Sequence, residues 1–385
     1  MSRRATHRAS WIGAAFVAVT TIAAAWGGRV NPQVTTWPAL LNMAYPLLAM
    51  VSAVLAVAWL LCRRWRLTAL LVAALLLTWP ALRVNAPLRL AAHDVRASAQ
   101  RFTFMTYNVQ QFSHWDAKLR REPVNATLRY ILDSGADCVI LQEGFVPLRT
   151  FEWPPAVKRL RHELDSVYPY RGKVCDEVTC LSRYPFERVM VVRDSMVAYK
   201  LPERNQLDTV HRNYCVAFDL HLPGGQPLRI VGLHLESLHL SKSERNIFTR
   251  FDSVRDDSLD RASQFYELSL VEKIQRAYEV RAQQAAMVRT VIDNSGDNVI
   301  VCGDFNDVPA SYSYWTVRGN DLRDAYVDAA RTPFYTYNRN RFLFHIDHTF
   351  YKGALKAVEC RRDRVGWSDH YPVVTTFVWD NKENL

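Results

Sequence analysis

No charged residue occurs from Ala9 to Gly28, and none from Val30 to Cys62. A third uncharged run, Leu67 to Leu82, is 16 residues long and contains Pro80. Such runs leave a chain few options, because about 20 apolar residues cross a bilayer as a helix. The pattern predicts helices over 10–28, 38–62 and 67–82, forming a transmembrane anchor over 1–83. A linker over 84–100 follows, and then a water-soluble domain over 101–380. The third run is short for a span, but Arg66 and Arg83 can snorkel from its flanks. Trp11, Trp26, Trp37, Trp59, Trp65 and Trp79 stand near the run ends, where an aromatic belt would place them. The basic start also fits a cleaved signal peptide. The two runs that follow favour an anchor that stays.

Charge divides along the same line. The first hundred residues hold ten arginines, no lysine and one acid, Asp94. The remainder holds 38 basic and 37 acidic residues. The formal charge of +10 therefore belongs to the flanks of the apolar runs, and it is no argument for a nucleic-acid partner. Arg3, Arg4 and Arg8 precede the first run, and Arg63, Arg64 and Arg66 separate the second from the third. The positive-inside rule puts both clusters in the cytoplasm. Three spans then place the soluble domain on the extracytoplasmic side of an inner or plasma membrane. If the third run does not span, that domain faces the cytoplasm.

Beyond Arg101 the sequence alternates strand-like and helix-like runs. Strands are expected over 101–109, 137–142, 214–222, 228–235, 298–303, 344–351 and 373–379. The runs ending at Leu222 and starting at Leu228 flank a Pro-Gly-Gly-Gln-Pro turn, which reads as a hairpin. Helices are expected from Pro123 to Gly135, after Pro154-Pro155 through Leu160 and Leu164, and from Leu270 to Asn294. Residues 241–263 read as a polar insertion. The mixture argues for an α/β fold, two packed sheets covered by helices. Cys138, Cys215 and Cys302 lie in apolar runs and read as packed thiols. Cys175 and Cys180 are the only close pair, and read either as a disulfide or as two ordinary thiols.

Chemistry-bearing residues gather where the apolar runs end. Asn108 closes the run Phe104–Asn108, and Glu143 follows Cys138–Gln142. His234 closes Val231–His234. Asp304 and Asn306 close the run from Val299. Asp347 heads the run through Phe350, and Asp369 and His370 stand just before the last strand. Each alone has an ordinary reading as a turn or solvated loop residue. Their order is the signal.

That order resembles the endonuclease/exonuclease/phosphatase superfamily, the deoxyribonuclease-I-like fold. The matching segments are Thr106–Val109, Leu141–Glu143, Leu181–Pro185, Gly232–Leu235, Gly303–Asn306, Ile346–Phe350 and Ser368–Pro372. The resemblance implies a four-layer sandwich of two mixed sheets flanked by helices. It implies divalent-metal-dependent hydrolysis of a phosphate ester, a phosphodiester first, by in-line attack of an activated water. Glu143, with Asn108 and Asp369, would hold the metal, and hard oxygen donors suit Mg²⁺ or Mn²⁺. Asp347 would orient His370, Asp304 would position or deprotonate the water, and Asn306 and His234 would donate to phosphate oxygens. Whether His370 or Asp304 is the base is left open by the resemblance. Gln110 and Gln111 stand where DNA-acting members carry an acid, which puts a second carboxylate there in doubt. His345 and His348 read as structural. The implied substrate is a lipid headgroup, a nucleic acid or a small phosphodiester, the bilayer is the other partner, and no protein partner can be inferred. The alternatives are a nuclease within the same fold and a catalytically silent membrane-anchored scaffold.

Overall fold

The computed structural model describes residues 3–89, 91, 93, 95, 100–112, 122–144, 159–172, 177–195, 199–200, 207–208, 211–223, 227–238, 270–339 and 343–379. The expected insertion at 241–263, the Pro154-Pro155 helix start, the hairpin tip and Cys175 lie outside these. The described helices are α1 (Arg3–Gly27), α2 (Trp37–Met43), α3 (Tyr45–Leu61), α4 (Trp65–Leu77), α5 (Trp79–Asn85), α6 (Ala126–Asp133), α7 (Arg161–Val167), α8 (Leu270–Asp293), α9 (Tyr312–Arg318) and α10 (Ala325–Ala329). Contacts divide the chain into two units. One holds Met1–Pro87, Leu238–Gln283 and Asp307–Val317, and the other holds Leu88–Ser237, Gln284–Asn306 and Arg318–Leu385.

The first unit has an inverted pattern. Ala18, Ala56, Leu71 and Ala74 are buried together, while Ile12, Phe16, Val19, Met50 and Val54 face outward. Its interior also pairs polar groups. Thr21 Oγ1 lies 2.8 Å from Ser52 Oγ, and Asn42 Nδ2 donates to Ala24 O at 2.9 Å. Small and hydrogen-bonded polar residues inside, with large apolar residues outside, suit helices that pack in lipid. One helix, His7–Gly27, is long and apolar enough to cross a membrane. The second and third runs do not form the continuous helices expected. Each is a bent pair, with 55° between α2 and α3 and 73° between α4 and α5. Pro46 and Pro80 open the second member of each pair, where a missing N–H is tolerated at a helix start but not inside.

This unit also takes in segments from far along the chain. Ile274 and Tyr278 of α8 pack with Ala39. Arg281, almost fully buried, brings its Nε to 3.5 Å from Asp307 Oδ2. Its guanidinium also lies over the Tyr278 ring, 4.4 Å from the centroid.

The strands are β1 (Arg101–Asn108), β2 (Cys138–Gln142), β3 (Tyr170–Arg171), β4 (Val178–Ser182), β5 (Phe186–Ser195), β6 (Tyr199–Lys200), β7 (Leu207–Asp208), β8 (His211–His221), β9 (Pro227–His234), β10 (Val299–Asp304), β11 (Arg323–Asp324), β12 (Asp347–Lys352), β13 (Leu355–Arg362) and β14 (Val373–Trp379). They form two mixed six-stranded sheets, ordered β13-β14-β1-β2-β4-β3 and β11-β12-β10-β9-β8-β5, and a short β6-β7 pair. The sheets share one core. Phe104, Cys138, Ile140, Val178 and Cys180 of the first pack with Val216, Phe218, Ile230, Ile300 and Cys302 of the second. The sheets come close at Gly232, since a Cβ there would meet Val178 Cγ1 at 2.7 Å and Ile140 Cγ2 at 2.8 Å. The other face of the first sheet is covered by Leu128, Ile131 and Leu132 of α6 and Leu164 of α7. On α8, Ala285, Val288 and Ile292 form a buried stripe, as its helical spacing predicts.

Two local features refine the sequence reading. Helix α6 starts at Ala126 rather than Pro123, because Asn125 caps it by accepting from Leu128 N at 2.9 Å. Cys180 is a free thiol in the core, its Sγ 3.8 Å from that of Cys138.

Gly303 is required by the strand pairing. Its φ is +143°, and a Cβ would lie 1.9 Å from Leu233 O. Gly303→Ala should lower stability by more than about 2 kcal/mol, the range of strained-backbone substitutions. Gly296→Ala, with nothing within 4 Å of the new Cβ, should change it by less than about 0.5 kcal/mol. Urea melts of both variants beside the parent test this, and equal midpoints for the two would remove the argument.

Candidate functional site

Register alone brings most of the polar strand ends together. Strands β1 and β2 are parallel, with Asn108 opposite Gln142 and Glu143 one residue on. Strands β9 and β10 are parallel, with His234 opposite Asp304. Antiparallel β12 sets Asp347 opposite Asp304 on the other side. Carboxyl ends of parallel strands are where open α/β folds hold ligands. The loop before β14 adds Asp369 and His370. Ser368 fixes that loop by donating from Oγ to Asn108 O at 2.7 Å and accepting from His370 N at 3.2 Å.

Asn108 joins the two sheets. Its Nδ2 donates to Glu143 Oε1 and to Asp304 Oδ2, each at 3.1 Å. Its Oδ1 accepts from Gln110 N at 3.1 Å. Asp304 Oδ1 accepts from Asn306 N at 2.8 Å. His370 Nδ1 lies 2.9 Å from Asp347 Oδ2, and its Nε2 lies 3.5 Å from Asp304 Oδ2. His234 reaches the same oxygen from the opposite side, Nε2 to Oδ2 3.7 Å, with its Nδ1 3.6 Å from Glu177 Oε1. Asn306 gives one amide hydrogen to Leu235 O at 2.9 Å. Asp369 Oδ2 lies 3.7 Å from Arg339 Nη1.

Two of these residues hold an uncommon backbone. Glu143 has φ +52° and Asn306 +49°. Asn tolerates this left-handed region, whereas a Glu there is strained by about 1–3 kcal/mol unless its surroundings enforce it. Here the strand pairing and the Asn108 bond do so.

Burial sets the electrostatics. It pushes the Glu143 carboxyl above the usual range, against the Asn108 hydrogen bond. It raises the Asp304 carboxyl too, against the nearby His370. For His370 burial acts downward, but the carboxylates of Asp347 and Asp304 more than offset it and hold the imidazole well above its ordinary value. His370 thus lies between two carboxyl groups that favour its protonated form.

Among the described residues Asp304, Asp347 and His370 offer ligand atoms within 4.8 Å of one another. His370 Nδ1 is already engaged by Asp347 Oδ2, so this trio suits a hydrogen-bonded chain. Glu143, partly open and flanked by Asn108 and Asp369, is the hard-oxygen donor set that suits Mg²⁺ or Mn²⁺.

Each residue singled out from the sequence lies at this end of the sheets. His345 and His348 lie elsewhere in character. His345 stacks on Tyr326 with centroids 3.9 Å apart, and His348 meets Phe305 edge-on. Burial holds His345 well below its usual range. Sequence reading missed Glu177 and Arg339, which approach from loops with no strand-end signature. It also missed the tether made by Ser368, although that residue stood inside a quoted motif.

The sequence pattern of the "Endonuclease/Exonuclease/phosphatase family" matches residues 105–370. A second pattern, "Domain of unknown function (DUF8431)", matches residues 7–85. No curated protein matches the chain. Similar solved structures include an endonuclease/exonuclease/phosphatase from Beutenbergia cavernae DSM 12333, at 17% identity and TM-score 0.45, covering 73% of this chain and 72% of that one. Sphingomyelinase C from Streptomyces griseocarneus is similar at 19% identity and TM-score 0.41, covering 72% and 99%. The human Nocturnin catalytic domain is similar at 15% identity and TM-score 0.43, covering 74% and 97%. The match over 105–370 spans more than half of the sequence, and the chain belongs to the endonuclease/exonuclease/phosphatase family.

Proposed function

We propose that this chain is a membrane-anchored, metal-dependent phosphodiesterase that attacks its substrate with an activated water. The observation that carries the reading is the Asp347–His370–Asp304 chain set beside the Asn108–Glu143 pair. Endonucleases, exonucleases and phosphatases all break phosphate esters, and the family supports that reaction class in general. The roles below are this chain's own.

Asp304 is the residue to take the proton of the attacking water. It accepts from Asn306 N and Asn108 Nδ2, which hold its carboxylate in one orientation. His370, kept cationic by Asp347, donates toward the phosphoryl oxygens as negative charge grows. His234 and the second amide hydrogen of Asn306 add donors on the other side. Glu143, Asn108 and Asp369 would hold Mg²⁺ or Mn²⁺, which when bound neutralises charge on the phosphoryl group or leaving oxygen. Asn108 would also keep Glu143 and Asp304 at a fixed separation.

The first 83 residues are read as a three-span anchor, with α2–α3 and α4–α5 each acting as one bent span. The positive-inside rule then puts the hydrolase on the extracytoplasmic side.

Three measurements test these readings. Full-length protein should turn over bis(p-nitrophenyl) phosphate with Mg²⁺ or Mn²⁺, lose that activity in EDTA, and regain it when the cation is returned. Glu143→Gln, Asp304→Asn and His370→Ala should each lower kcat by about 10²-fold or more while melting like the parent. Parent-like rates in any of the three would contradict its role. Protease added outside intact spheroplasts should cut the chain after Arg83, and protection until lysis would reverse the orientation. Run on single-stranded DNA, RNA, sphingomyelin and phosphoinositides, the same assay identifies the substrate class.

A further inference from the structure

A cavity of about 570 Å³ opens at the free edge of β13, lined by Arg89, Arg101, Arg331, Arg361, Arg362 and Arg364. Among the described residues of its wall, Glu359 is the only carboxylate. Two of the six guanidiniums are held in place by uncharged groups. Arg362 lies over the Tyr335 ring at 3.9 Å and donates to Tyr335 O at 2.6 Å. Arg89 donates to Ala91 O at 2.8 Å and to Asp328 O. Arg361 pairs with Asp363 at 2.7 Å and reaches Glu359 at 3.5 Å. Among the described residues Arg101, Arg331 and Arg364 have no carboxylate partner.

So many cations in one concavity repel one another, and among the described residues the carboxylates of Asp363 and Glu359 engage only Arg361 of the six. Planar guanidinium forks match phosphate oxygens in pairs. Arg362 and Arg89 are already oriented, so little side-chain freedom remains to be lost on binding. The cavity is also large enough for more than one phosphate with its attached polyol.

We propose that this cavity binds a phosphate-bearing anion, either the headgroup of an anionic phospholipid or a free phosphate compound. The site uses none of the residues assigned to hydrolysis. The lipid source rests on the anchor reading. Arg89 follows Asn85, the end of α5, by four positions, a tether of at most about 14 Å. The ordinary alternative is that these arginines only guard an edge strand against pairing with another chain, which needs no ligand.

The test uses full-length protein in an uncharged detergent, with EDTA present, and reads the melting midpoint. Dioctanoyl phosphatidylglycerol, dioctanoyl phosphatidylcholine and inorganic pyrophosphate are titrated separately. A saturable rise of about 3 °C or more with phosphatidylglycerol, absent with phosphatidylcholine, supports the site and names a lipid headgroup. The same rise with pyrophosphate alone supports it and names a soluble phosphate. Either rise should vanish in Arg331→Gln/Arg364→Gln and be weaker but still saturable in Arg331→Lys/Arg364→Lys, which keep the charge without the planar fork. Both positions are exposed, and the ligand-free melts show whether the variants fold. Arg101→Gln serves as a second variant, expected to weaken the rise. No saturable rise with any anion, or an equal rise in the parent and the Gln variant, overturns the proposal.

Discussion

A single side-chain amide ties the two sheets together at their functional end. Asn108 closes a central strand of one sheet, and its nitrogen bonds Glu143 from that sheet and Asp304 from the other. Two buried carboxylates brought this close would repel. The amide offers each a hydrogen and fixes their spacing. Its own main-chain oxygen holds Ser368, and through it the loop bearing Asp369 and His370. Remove that one group and three separate segments lose their common reference point. The parallel pairing of β1 with β2 and of β9 with β10 sets this arrangement up, because it delivers both chain ends to the same edge.

Much of this was legible in the sequence, for a definite reason. A polar residue that closes a buried apolar run needs either solvent or a partner, so Asn108, Glu143, His234, Asp304 and Asp347 announced themselves. Seven strands did not, and four of them, β3, β6, β7 and β11, are only two residues long. In β5, Phe186–Ser195, and β13, Leu355–Arg362, charges interrupt the apolar pattern, as befits strands at sheet edges. Strand β4, Val178–Ser182, is only five residues long, and its Leu181-Ser182 end runs into the matching segment Leu181–Pro185. Glu177 and Arg339 reach the site from irregular segments, and their approach depends on tertiary packing that no local pattern encodes. The composition split was equally plain, whereas the breaks at Pro46 and Pro80 needed the observed helix axes.

The first unit is built on a different pattern. Alanines and paired hydroxyls and amides fill much of the contact between its helices, beside Tyr45 and Leu71, while Ile12, Phe16, Met50 and Val54 face out. Small residues at helix contacts are what close packing in lipid requires. Arg281 and Asp307 are the exception, a buried charged pair within the same unit, reinforced by Ser313 donating to Asp307 at 2.5 Å. A pair of this kind is weak evidence for stability, since desolvation opposes the attraction. Its value lies in fixing which segments meet.

The core thiols bear on where such a domain can live. Cys138, Cys180, Cys215, Cys302 and Cys360 are all buried and unbonded. Burial pushes the Cys215 and Cys360 thiols up to about 12, so almost no thiolate is present to react. Among the described residues the packing of the hydrolase fold neither needs a disulfide nor exposes a thiol to form one. These five thiols are therefore poor partners for an oxidant, and the packing they belong to gains nothing from a change in redox poise.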